Sequence, residues 1–184
     1  MKAMTPIAPL MIEHRLIGRV ISLMAREAKR VESGGPPNSV FVDNVVDFIR
    51  VYADRYHHVK EEDILFVEAR KKALPEELAR EADELTQDHR RQRAVVQELA
   101  DANAEFGRGN KAIIPAMIEA MKSFVDFYTR HMEKEDLKFF APVMTYFTEL
   151  EKQAMLEKEI AIDRILIPER FAVMVESMED SWWD

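Results

Sequence analysis

The chain has 184 residues and a net charge of −8, from 26 Lys and Arg against 34 Asp and Glu. That length suits one domain, and the acidic balance argues against a nucleic-acid partner or an anionic membrane surface. Cysteine is absent and only five glycines occur, which excludes disulfides, thiolate catalysis, Cys-ligated metals and glycine-rich nucleotide loops.

Good helix formers fill the chain between a few clustered breakers. The first helix is expected over about Pro9 to Val31, ending at the loop Ser33-Gly34-Gly35-Pro36-Pro37-Asn38-Ser39. The second covers about Val40 to Lys72 and stops before Pro75. The third runs from Pro75, whose missing N–H costs nothing in a first turn, to about Glu105. Gly107 to Asn110 breaks the chain again, and the fourth helix covers about Ile113 to Leu137, with Pro115 in or near its first turn. Each piece carries one apolar stripe at helical spacing, so the fold expected is all-α: an antiparallel up-down four-helix bundle over residues 1–141. Residues 142–184 should add one or two shorter helices packed on it, with Trp182 and Trp183 as a packing anchor or partner contact. No uncharged run exceeds ten residues, too short to span a membrane, and Met1 to Pro6 has no basic-then-apolar leader pattern, so a cytoplasmic location is expected.

Polar residues interrupt those apolar stripes. His57 and Glu61 sit four residues apart on the second helix, His131 and Glu135 four apart on the fourth, so each pair shares a helix face. Carboxylates on a core stripe need compensation. His14 lies in phase with Ile17 and Ile21 on the first helix, His89 with Leu85 and Val96 on the third. His14 precedes His57 by 43 residues, and His89 precedes His131 by 42. The chain is thus a tandem of two helical hairpins, each with His and then His-x-x-x-Glu. Four of the five His in a twofold repeat point to a dinuclear metal site. Imidazole and carboxylate suit iron, with manganese or zinc as alternatives, and disfavour copper(I). Two carboxylates neutralise two divalent ions only in part, so an added oxo or hydroxo bridge would complete the balance.

The words His-His-Val-Lys-Glu-Glu-Asp-Ile-Leu-Phe and His-Met-Glu-Lys-Glu-Asp-Leu-Lys-Phe-Phe-Ala-Pro resemble the hemerythrin-like, His-His-Glu cation-binding domain family over about Ile12 to Pro142. The Phe-Gly-Arg-Gly-Asn segment is similar to it too. The resemblance implies a four-helix bundle around a non-haem di-iron centre. By it His14, His57, His89 and His131 would be terminal metal ligands, and Glu61 and Glu135 would bridge. The oxygen-carrying members use a fifth His, one turn from another on the third helix; here those positions hold Leu85 and Arg93. His58 lies about 100° around a regular helix from His57, which favours a surface or outer role. Arg93 either leans inward as a fixed charge or faces solvent. Glu62 and Asp136 follow the proposed bridges by one residue, and Asp136 is an alternative to Glu135. Tyr52, Tyr56 and Tyr128 are expected to pack, not to ligate.

The function expected is binding or sensing of oxygen, nitric oxide or peroxide. The alternatives are an enzyme that decomposes hydrogen peroxide or reduces nitric oxide, and an iron-binding or storage protein. A protein partner or homodimer is compatible with the sequence, which leaves the enzyme question open.

Overall fold

A computed structural model describes residues 5–164 and 167–181. Trp182 and Trp183 lie outside the described residues. Helix α1 is Ile7–Glu32. Helix α2 runs unbroken over 39–69, with its N-terminus capped by the Asn38 side chain, which accepts from the Phe41 N–H at 3.1 Å. Helix α3 is Glu76–Gly107, preceded by Pro75. A short 3₁₀ turn, Lys111–Ile113, leads into α4 over 114–144, which places Pro115 in the first turn. Gly34 and Gly109 follow α1 and α3 with φ of 94° and 92°, a left-handed geometry that closes each helix end.

The four helices form a square in which α1 meets α4, α4 meets α3 and α3 meets α2. The expected bundle is therefore present, and its fourth helix runs seven residues past Leu137. Phe139, Phe140, Val143 and Met144 on that extension are buried, so tertiary packing keeps the helix going through Pro142. Two further helices follow. Helix α5, Glu149–Asp163, opens with a capping box between Thr148 and Glu151. Helix α6, Ile167–Ser181, packs on α1 and on the middle of α2. No helix among the described residues is long and apolar enough to cross a membrane.

Three stretches within α2 and α4 have π-helical i→i+5 bonding: Ile49–His57, Glu61–Leu65 and Glu135–Phe139. An extra residue per turn lets consecutive side chains share the inner face. Ile64, Leu65 and Phe66 are all buried, as are Phe139 and Phe140, and the pair His57 and His58.

The interior has two apolar clusters. One contains Ile17, Val46, Val96, Phe124 and Tyr128. The other contains Leu10, Ile64, Leu85, Phe139 and Met155. Between them every bundle helix contributes buried polar residues.

Helix α6 closes the first cluster through Phe171, whose ring meets Phe48 edge-on at 5.5 Å and Tyr52 at 5.8 Å. Phe171→Ala should cost about 3–5 kcal/mol in urea unfolding. A loss below about 1 kcal/mol would show that α6 does not share the core.

Helix α5 buries Glu159, neither of whose carboxylate oxygens has a hydrogen-bond partner. Burial, reinforced by Glu13, Asp163 and Glu61 against the opposing Lys60, pushes its pKa up to about 8. The fold thus holds a proton that the unfolded chain releases near 4.5. The stability this contributes is full below 4.5 and is lost as pH rises through about 8. In the metal-free chain, Glu159→Gln should gain stability over the wild type between pH 5 and pH 8 by more than about 1.4 kcal/mol, one pKa unit. Parallel stability profiles for the two proteins would refute this.

Candidate metal centre

The polar layer is built one turn at a time. Helix α1 places Glu13 and His14 between Leu10 and Ile17, and α3 places Asp88, His89 and Gln92 between Leu85 and Val96. The π-helical stretches of α2 and α4 bring in His57, His58 and Glu61, and His131 and Glu135. All six sequence-derived candidates fall in this layer. Glu61 and Glu135 are fully buried (0% exposed), and the surrounding imidazoles are buried with them.

Their inward-facing nitrogen and oxygen atoms form two groups. His14, His57, Glu61 and Glu135 offer atoms within 4.8 Å of one another, and so do His58, His89 and His131. The carboxylates lie between the groups. Glu61 directs Oε1 to His57 Nε2 at 3.4 Å and Oε2 to His89 Nε2 at 3.4 Å. Glu135 directs Oε2 to His14 Nε2 at 3.2 Å, and Oε1 to His131 Nε2 at 3.2 Å and His89 Nε2 at 3.6 Å. Each carboxylate therefore presents one oxygen to each side.

All four carboxylate oxygens, and Nε2 of His14, His89 and His131, are buried without a hydrogen-bond partner. Unpartnered buried donors and acceptors are costly, and here they converge on one space. A pair of cations there would satisfy them, and the nitrogen and oxygen donors are of the right chemistry for such ions.

The outer ring nitrogens face a ring of carboxylates. His57 Nδ1 bonds Glu13 at 2.7 Å, His14 Nδ1 bonds Asp136 at 2.9 Å, and His89 Nδ1 bonds Glu62 at 2.7 Å. His58 Nδ1 lies 3.5 Å from Asp54, and His131 Nδ1 3.9 Å from Asp88. A carboxylate only accepts, so the bonded Nδ1 atoms carry the proton and Nε2 is left for the interior. Glu62 and Asp136 thus stand at the rim, with Glu61 and Glu135 inside.

Electrostatics follow from this packing. Burial alone lowers an imidazole's pKa, but the carboxylates outweigh it. His14, bonded to Asp136 and facing Glu135, is pushed up to about 10. His57, near Glu61 and Glu13, and His89, near Glu135 and Glu62, rise to about 9. His58 goes the other way: burial, together with His89, His57 and His131, holds it well below the usual range. For Glu135 the penalty of burial is outweighed by His131, His14 and His89, which hold it well below the usual carboxylate range.

His58 is the main departure from the sequence reading. It is 2% exposed, stacks on His89 with ring centroids 3.8 Å apart, and joins the second group. A step of 100° per residue holds for a regular helix, and the π-helical stretch ending at His57 departs from it. The signal in the sequence was the run of adjacent inward-compatible residues, Tyr56-His57-His58. The two groups consequently differ in imidazole count, where equal halves were expected. Arg93 does not reach the interior: 45% exposed, it pairs with Asp54 at 2.7 Å and Glu62 at 3.3 Å. Tyr52, Tyr56 and Tyr128 are buried, and their described contacts are packing and hydrogen bonds. Glu13 and Lys60 were not singled out by sequence; a lysine four residues after a tyrosine carries no mark of burial.

No curated protein and no solved structure matches the chain. A family model does: the hemerythrin HHE cation-binding domain matches residues 5–143. That span includes every candidate ligand on the four bundle helices, and the chain belongs to the hemerythrin HHE cation-binding family.

Proposed function

We propose that the chain holds a non-haem di-iron centre that binds or senses a small ligand: oxygen, nitric oxide or peroxide. One observation carries this reading. Two fully buried carboxylates each aim one unpartnered oxygen at each of two imidazole groups. In this reading Glu61 and Glu135 would be shared by the two ions, His14 and His57 would help to hold one, and His58, His89 and His131 would hold the other. Manganese or zinc would fit the same donors.

The protein's contribution is positioning, charge and exclusion. The outer carboxylates fix ring orientation and raise the basicity of the inner nitrogens. Two inner carboxylates leave part of the charge of two divalent ions uncompensated, which favours a small anionic ligand. The buried donors admit no large substrate. Iron, when bound, supplies a reversible one-electron couple and affinity for diatomic and peroxidic ligands.

A second reading, decomposition of hydrogen peroxide, is favoured by Asp136 and Glu62. Both are about one-third exposed and each bonds an inner imidazole, so protons can pass between solvent and the layer's edge.

Loaded anaerobically with ferrous iron, the chain should bind two ions; a plateau at one ion in folded protein would end the dinuclear reading. Glu61→Ala and Glu135→Ala should abolish pairwise binding. Glu62→Ala and Asp136→Ala should keep two ions with about 10–100-fold weaker affinity. If Asp136→Ala is as damaging as Glu135→Ala, the bridge has been misassigned.

Optical spectra of the ferrous protein should change on separate addition of oxygen, nitric oxide and peroxide. Silence towards all three would overturn ligand binding. Peroxide loss over many turnovers would move the assignment to the enzyme, and repeated intact release of oxygen to a carrier.

A further inference from the structure

We propose that helix α5 is a working part of the metal centre, with Lys60 and Asp163 acting as positioning residues for His57 through Glu13. The proposal rests on the di-metal reading above. Asp163 lies on α5, beyond the residues 5–143 that match the family.

The outer carboxylates are not alike. Asp88, Asp54, Glu62 and Asp136 have side chains between 11% and 32% exposed, so water screens their charge. The Glu13 side chain is 6% exposed and cannot rely on water. Its Oε2 accepts a hydrogen bond from His57 Nδ1 at 2.7 Å, and its Oε1 accepts one from Lys60 Nζ at 2.5 Å.

Lys60 is fully buried, a rare state for lysine unless it is paired. An ammonium has three donors, and all three are used: Glu13, the Tyr56 hydroxyl at 3.0 Å, and Asp163. Tyr56 in turn donates to Asp163 at 2.6 Å. The result is a closed chain of contacts from the end of α5 to a candidate ligand: Asp163, Lys60, Glu13, His57. Glu159, one turn before Asp163, stays protonated and adds no further charge.

The physical role follows. A charged Glu13 makes His57 a stronger donor than a neutral acceptor would. A charged Glu13 in the core requires the Lys60 ammonium, since removing one member of a buried pair strands the other. Lys60 needs Asp163 to complete its set. Helix α5 therefore sets how firmly the ion beside His14 and His57 is held.

The test uses the full chain loaded with zinc, a redox-inert probe of the same donors, and follows metal release to a chelator beside thermal unfolding. In wild type, two ions should leave slowly. In Lys60→Met the thermal midpoint should fall, and one ion should leave about 10–100-fold faster while the other keeps its wild-type rate. Asp163→Asn, a milder change at a half-buried site, should act in the same direction. The double variant Lys60→Met with Glu13→Gln removes both charges but keeps an acceptor for His57. Its thermal midpoint should recover while the fast release persists. That separation distinguishes positioning from mere structural support, under which stability and retention would recover together. Recovery of both, or wild-type release in Lys60→Met and Asp163→Asn, overturns the proposal. If Lys60→Met alone does not fold, Asp163→Asn and the double variant decide. Failure of the wild-type chain to hold two ions sinks the underlying di-metal reading, and this inference with it.

Discussion

The structure depends on the cost of taking two carboxylates out of water. Glu61 and Glu135 have no solvent contact, and imidazole Nε2 atoms are the groups that face their oxygens. A fold of this size has net stability of only about 5–15 kcal/mol, comparable with the desolvation penalty of two uncompensated ions. Positive charge must therefore be supplied in the layer. In the metal-free chain protons supply it, which is why His14, His57 and His89 rise so far above the ordinary imidazole range. Cations would take over the same work, displacing those protons from Nε2.

The rest of the layer is arranged around that demand. His14, His57 and His89 each bond a carboxylate behind them, and Asp54, Glu62, Asp88 and Glu13 are themselves paired with Arg93, Lys134 and Lys60. Charge therefore alternates outward from the centre in shells. Among the described residues, Glu13 is the outer carboxylate whose counter-charge, Lys60, is itself fully buried, and Lys60 pairs in turn with Asp163 on α5. The family match ends at residue 143, yet α5 and α6 cover both the polar layer and the larger apolar cluster.

Much of this was legible in the sequence. The helix limits follow from Pro75, the Gly34 and Gly109 breaks and the apolar stripes, because these are local effects. The six residues His14, His57, Glu61, His89, His131 and Glu135 emerge from a repeat whose period survives in the chain. What was hidden depends on the backbone departing from 3.6 residues per turn. His58 enters the layer because π-helical bonding shifts the phase of α2, a shift at which the sequence hints only through the Tyr56-His57-His58 run. Helix α4 continues to residue 144 because Phe139 and Phe140 are held by distant partners, Phe66 and His14. Lys60 and Asp163 meet across 103 positions of chain, a contact that sequence spacing cannot encode.

The polar layer also divides the hydrophobic interior into two separate cores, one towards Val96 and Phe124 and the other towards Leu85 and Phe139. Ile162 on α5 packs against both. A protein with two cores and a charged seam has the makings of two cooperative units rather than one. Ions seated in the seam would touch all four bundle helices at once and act as a rivet. Amide protons at the two ends would then exchange in step in the loaded chain and independently in the empty one, making the metal a determinant of mechanical unity as well as of chemistry.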